Sequence, residues 1–439
     1  MGRVLFQRGW VVTEDARAPE LRDVLVENGR IAGVDPHIEV DAATPVIDCN
    51  EKFLVPGLFD MHVHLREPGR EDKETLETGT EAAVNGGITG ILAMPNTEPA
   101  IDTGGMVRFV LNLARERSRI PVYTAGCVSR GRAGRELAEI GDMVEKGAVM
   151  ITDDGDPVSD ARLLRRAMEY SRNFKLLIGS HAEVRELSEG GVVNEGAVSY
   201  KLGLPGIPSA SEEIAIDRDL RIAQWTRARI HIHHVSASGS IEIIRRFKQQ
   251  GLPVSCEVTP HHLIFCDKDI VDYNTNLKMN PPLRRDEDRA RLLEGLKEGV
   301  IDCIATDHAP HTTYEKNEDY CSAPFGIIGL ETALLSLYTH LIKTERLSWG
   351  RLASAFSSNP RKLLGLDPVS IRRGNRADFL VFDPQKKTRV DRAFLKSKSC
   401  NTPFLGKDLD GSVELVTVSG QIVLDRTKDG RNRVTCSSK

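Results

Sequence analysis

The 439-residue chain predicts an α/β fold, a (β/α)8 barrel with a small β-sandwich built from both termini. Three observations predict it. Residues 56–365 alternate strand-like and helix-like stretches eight times, the arithmetic of such a barrel. Residues 1–55 and 366–439 show only short strands and turns. The strand-like runs of the middle repeatedly end on histidine, aspartate or another polar residue, and barrel chemistry sits at the C-terminal strand ends. A doubly wound open sheet is the alternative, but it would usually carry a glycine-rich phosphate turn, and the chain has none.

The elements follow in order. The N-terminal segment has strand-like runs at 3–6, 9–12, 23–27, 30–34 and 45–48, with Asn28-Gly29 as a hairpin signal. In the middle, runs at 58–63, 88–94, 121–128, 148–151, 176–180, 229–235, 253–258 and 301–306 read as barrel strands. Helical stretches separate them, among them 75–85, 106–116, 160–173, 213–227, 240–249 and 286–299. The C-terminal segment returns to strands at 377–382, 413–418 and 421–424, with Ser419-Gly420 as a turn. Two β-rich ends around a different middle predict one composite sheet module.

Composition excludes several functions. Hydrophobic content of 40%, charged content of 28% and a net charge of −4 describe an ordinary globular protein. With no basic excess and only 5% aromatic residues, nothing points to nucleic acid. No apolar run is long enough to cross a bilayer, and no signal-peptide pattern opens the chain, so a cytoplasmic location is expected. The eight cysteines (49, 127, 256, 266, 303, 321, 400 and 436) form no CxxC pair and read as reduced thiols.

The polar strand ends carry the chemistry. His62 and His64, two apart on a strand, point to one side and make half of a metal site. Later runs end on Pro95-Asn96-Thr97, Asp153-Asp154-Gly155, Ser180-His181, His231-Ile-His-His234 and Thr306-Asp307-His308. Four or more histidines with two aspartates suit zinc or a similar divalent ion, and outnumber the ligands of one tetrahedral ion. Two ions sharing a carboxylate and a hydroxide would account for them. Alternation alone leaves Asp153 against Asp154, and His231 and His233 against His234, undecided.

The motifs Asp60-Met-His-Val-His-Leu-Arg-Glu-Pro-Gly69, Met94-Pro-Asn-Thr97, Thr259-Pro-His-His-Leu263 and Ala305-Thr-Asp-His-Ala-Pro-His311 together resemble the dihydroorotases of the long bacterial type, amidohydrolase-superfamily barrels. Lys278-Met-Asn-Pro-Pro-Leu283 and Ala323-Pro-Phe-Gly-Ile327 add to the resemblance, which spans the chain. It implies a zinc-dependent hydrolase that interconverts N-carbamoyl-L-aspartate and (S)-dihydroorotate, the third step of pyrimidine biosynthesis. His62 and His64 would hold a first ion, His181 and His234 a second, and Asp154 would bridge them. Asp307 would ligate the first ion and move the proton between a metal-bound hydroxide and the departing nitrogen. Arg66, Asn96 and His311 would hold the substrate carboxylate, while Asn280 and the Phe325-Gly326 backbone would read the ring amides. Arg66, two residues after His64, is expected on the same strand face. His261 and His262 are read as loop-structuring, and residues 311–322 as a solvated loop that could act as a lid. The family-like partners are a second copy in a homodimer and aspartate transcarbamoylase. A hydantoinase or allantoinase is the rival enzyme, but such relatives resemble lysine-bridged enzymes and strand four lacks that lysine. A non-catalytic scaffold barrel is the other rival; it predicts lost ligands, and none is missing.

Overall fold

Sheet and barrel meet at Gly57. In the computed structural model, which describes residues 2–14 and 17–427, strand Phe53–Pro56 belongs to the terminal sheet and Leu58–Val63 opens the barrel. Gly57 donates its N–H to the Asp378 carbonyl at 3.0 Å. A Cβ at this position would lie 2.3 Å from Thr89 Oγ1, so the junction has room only for glycine.

The barrel strands follow in chain order: Leu58–Val63, Ile88–Ala93, Val122–Gly126, Met150–Ile151, Leu177–Ser180, Arg229–Ile232, Val254–Val258 and Cys303–Ile304. All neighbouring pairs are parallel. A parallel bridge between Val63 and His308 joins the last strand to the first. The first two strands are buried along their whole length, as expected when helices cover the outside and side chains fill the inside. The fourth and eighth strands are shorter than the runs 148–151 and 301–306 predict. Their polar ends leave the ladder to form the site.

Helix starts are set by local chemistry. Thr75 accepts the Thr78 N–H and starts Leu76–Asn85; Asp160 accepts those of Arg162 and Leu163 and starts Ala161–Ser171. The second helix buries Leu163, Leu164, Ala167 and Met168, one stripe at helical spacing.

The terminal sheet takes five strands from the N-terminal segment (Arg3–Val11, Glu20–Glu27, Arg30–Asp35, Val46–Asp48, Phe53–Pro56) and three from the C-terminal one (Phe379–Arg389, Asp408–Val418, Gln421–Asp425). The seam is antiparallel, with Phe379 opposite Pro56 and Phe382 opposite Phe53. Phe6 and Phe379, edge to face at 4.8 Å, sit in its core. Arg3–Val11 is one strand where the sequence reads as two, because a register shift between Phe6 and Gly9, with Arg8 at φ +60°, interrupts its pattern.

Between Phe379–Arg389 and Asp408–Val418 the chain leaves the sheet and reaches the loops beyond the barrel strands. Ser399 Oγ donates to the Lys73 carbonyl at 2.8 Å, and Asn401 Nδ2 donates to the carbonyls of Ala309 and Gly326, each at 3.0 Å. Drawing the sheet module as 366–439 therefore includes a segment that packs on the barrel. The seven cysteines among the described residues are free thiols; Cys436 lies outside those residues. Among the described residues no helix is long and apolar enough to cross a membrane.

Candidate metal centre and active site

Six side chains from five strand ends converge. His62 is buried in the first strand and His64 follows it. Asp154, His181, His234 and Asp307 lie just past the fourth, fifth, sixth and eighth strands and are all buried. Asp154 stands between two groups. Its Oδ2 lies 3.2 Å from His62 Nε2 and 3.4 Å from His64 Nε2; its Oδ1 lies 3.4 Å from His234 Nε2 and 3.8 Å from His181 Nδ1. Asp307 Oδ1 lies 3.0 Å from His64 Nε2 and 3.6 Å from His62 Nε2. The backbone is left-handed at His234 (φ +31°) and Asp307 (φ +48°), conformations that a surrounding fold must impose.

The electrostatics suit a cation. Burial pushes the His62 imidazole down, but Asp154, Glu257 and Asp307 outweigh it and hold its pKa well above the ordinary value. Burial raises Asp154, yet the His62 imidazole and the neighbouring His234 hold it well below the carboxylate range. His62 Nε2 and Asp154 Oδ1 are buried without a hydrogen-bond partner. Buried nitrogen and oxygen atoms without partners, gathered in one cluster of histidines and aspartates, fit one or two divalent ions.

A supporting layer orients these ligands. Glu257, fully buried, accepts from His62 Nδ1 at 2.6 Å, His231 Nε2 at 3.0 Å and His233 Nδ1 at 3.0 Å. Asn96 Oδ1 accepts from His64 Nδ1 at 2.7 Å. Both contacts turn Nε2 toward the centre. Asp153 faces away and accepts the N–H groups of Val128 and Ser129 and the Ser129 hydroxyl. His262 bonds to Thr259 Oγ1 and the Pro281 carbonyl, shaping its loop.

Beside this centre lies a cationic cluster around His311. Arg66 Nη2 is 3.3 Å from His311 Nε2, and Arg66 Nε donates to the Pro310 carbonyl at 3.2 Å. Burial lowers Arg66 only to about 10, so it stays a cation at neutral pH. Arg66 arrives there by a left-handed turn (φ +62°) after the strand has ended at Val63, so the same-face expectation fails for it. Asn280 lines a small space with His181, Glu183 and His234, its Nδ2 3.5 Å from Glu183 Oε1. The Phe325 ring packs against Lys278, whose Nζ is 4.7 Å from its centroid.

Gly326 differs from the expectation. Its N–H donates to the Lys278 carbonyl at 3.0 Å, and its carbonyl accepts from Asn401 and Lys316, so neither group is left to read a ring amide. Glycine is needed here because φ is +149° and a Cβ would lie 2.7 Å from His311 Cδ2. Residues 311–322 are also more ordered than a plain loop. They contain the short helix Thr313–Lys316, started by a Thr312–Glu315 capping box. The buried Lys316 ties that helix to the carbonyls of Pro324 and Gly326. Sequence reading missed Lys73, Glu257, Glu315 and Asn401. Glu257 stands two residues before the Thr259–Leu263 motif, whereas Lys73, Glu315 and Asn401 lie outside every motif and carry no local signal.

The barrel and its centre have relatives. A family model described as dihydro-orotase-like matches residues 51–240. The dihydroorotase of Pelotomaculum thermopropionicum is 44% identical, covering 96% of this chain and 98% of its own. That of Desulforapulum autotrophicum is also 44% identical, covering 95% and 98%. Among solved structures, an L-hydantoinase (dihydropyrimidinase) from Arthrobacter aurescens superposes with a TM-score of 0.87 at 27% identity, covering 98% of each chain. Dihydropyrimidinase from Brevibacillus agri, at 21% identity and a TM-score of 0.82, shares the fold. Full-length identity at this level, joined to the strand-end cluster of histidines and aspartates, means that the chain belongs to the dihydroorotase family.

Proposed function

We propose that this chain is a zinc-dependent dihydroorotase, closing N-carbamoyl-L-aspartate to (S)-dihydroorotate with loss of water and reopening it in pyrimidine biosynthesis. The observation that carries the reading is the Arg66 cation beside the centre, 3.3 Å from the His311 ring: it calls for an anion, and the substrate offers a carboxylate. A hydantoin ring has no carboxylate at that place, so the cation favours dihydroorotate over the hydantoinase reading.

His62, His64 and Asp307 would hold one ion, His181 and His234 another, and Asp154 would face both. Zinc, when bound, supplies Lewis acidity toward a carbonyl and eases the ionisation of water near neutral pH. The chain's own residues do the rest. Arg66, His311 and the Asn96 amide orient the carboxylate, while Asn280 and the Phe325 backbone face the ring edge. Asp307 takes the proton of the attacking water and delivers it to the departing amide nitrogen; ring closure runs the same transfer backwards. His311 is neutral, pushed to about 2 by burial and by Arg66, Lys73 and Lys316 beside it, so its ring can donate a hydrogen bond without adding a charge.

The test is metal content and dihydroorotate hydrolysis on one purified sample. Turnover lost to a chelator and restored by zinc supports the proposal. Turnover of hydantoin but not dihydroorotate defeats it. The same reading carries a homodimer in the cytoplasm and association with aspartate transcarbamoylase, which mass photometry with and without that partner would measure.

A further inference from the structure

We propose that Lys73 is a positioning residue: it fixes the tautomer of His311 so that the ring presents Nε2–H to the substrate carboxylate, an inference resting on the dihydroorotate reading above. Lys73 is 6% exposed, and its Nζ lies 3.1 Å from His311 Nδ1. An ammonium group has donors and no acceptor, so Nδ1 must offer its lone pair. A neutral imidazole carries one N–H, which then sits on Nε2. The Arg66 guanidinium is also donor-only and its Nη2 lies 3.3 Å from Nε2, so the two cations compete for one lone pair. The shorter Lys73 contact, at 3.1 Å, takes it and leaves Nε2–H facing Arg66. A carboxylate oxygen within reach of both satisfies the pair.

Lys73 is itself held. Glu315 Oε1 lies 2.8 Å from Lys73 Nζ and 3.2 Å from Arg70 Nη2. Glu315 Oε2 accepts the Thr312 N–H and hydroxyl, each at 3.0 Å. The same Oε2 lies 3.6 Å from His311 Nδ1. If Lys73 is removed, Glu315 becomes the one acceptor beside Nδ1, the proton moves there, and Nε2 turns a lone pair toward the substrate anion. The short helix that carries Glu315 therefore acts on the substrate pocket through Lys73.

The direct test is the tautomer in the wild-type, zinc-loaded enzyme. Nitrogen-15 spectra of histidine-labelled protein, with His311 assigned through His311→Asn, should show the proton on Nε2; a proton on Nδ1 overturns the proposal. Lys73→Met should raise KM for (S)-dihydroorotate roughly 10- to 100-fold, the size of a lost charge-assisted hydrogen bond. It should leave kcat within about threefold, the scale of an indirect effect, and leave inhibition by 5,6-dihydrouracil, the ring without the carboxylate, unchanged. An unchanged KM, or equal weakening of both ligands, overturns it. If Lys73→Met does not fold, the wild-type spectrum still decides. A wild-type enzyme with no dihydroorotate turnover overturns both readings, whereas an active one with Nδ1 protonated overturns this one alone.

Discussion

Glu257→Gln keeps the shape of a fully buried side chain and changes only what it can accept. The carboxylate takes three histidine N–H groups, from His62 Nδ1 at 2.6 Å and from His231 Nε2 and His233 Nδ1 at 3.0 Å each. Oε1 serves both His62 and His233, so an amide cannot reproduce the set. If its oxygen takes the Oε1 position, its NH2 opposes the His231 N–H; the reverse opposes His62 and His233. Hydrogen bonds to charged groups are worth about 1.5–3 kcal/mol, and a buried donor left unpaired costs about 1–3 kcal/mol. The share that falls on His62 loosens a ligand of the first ion, and losses of this kind weaken metal binding roughly 10- to 100-fold. The assay is zinc titration of the metal-free protein against a chromophoric chelator, with far-UV circular dichroism to establish the fold. A folded Glu257→Gln variant with wild-type zinc affinity would refute the claim that Glu257 orients His62.

Three further outcomes are expected. Asp307→Ala should abolish turnover while sparing the fold, a loss of at least about 10²-fold for a missing proton carrier; near-normal activity would remove Asp307 from the chemistry. Gly326→Ala places a methyl 2.7 Å from both His311 Cδ2 and the Ala309 carbonyl, at a φ of +149°. KM for dihydroorotate should rise about tenfold as His311 shifts, and steady-state kinetics on the purified variant will show whether it does. Glu331 is buried, and burial raises its carboxyl to about 7 despite bonds from the Lys396 N–H and Asn85. The folded state then holds a proton that the unfolded chain releases near pH 4.5. Stability should fall as pH rises from about 4.5 to 7, by on the order of 3 kcal/mol from this group. Urea unfolding across that range should lose that share of its slope in Glu331→Gln, and an identical slope would discard the assignment.

Periodicity and punctuation determined a great deal. Alternating strand and helix patterns predict the barrel because those signals depend on neighbours within a few residues. Histidines and aspartates at successive strand ends mark the site for the same reason, since a parallel barrel brings every C-terminal strand end to one face. Period two also correctly sets His231 and His233 on one face, where both meet Glu257.

Tertiary structure decided the rest. Asp154 faces the histidines and Asp153 the Val128–Ser129 backbone, opposite sides as alternation demands, but which side is the centre is settled only by closure of the barrel. His234, Asp307 and Arg66 reach the site through left-handed backbone, a conformation that long-range packing imposes and local propensity opposes. Asn401, 90 residues beyond His311, accepts the His311 N–H at 3.2 Å, and Glu257 meets His62 across 195 residues. Contacts at such separations leave no period in the sequence. They follow from closure of the barrel and from the C-terminal segment folding back over its loops.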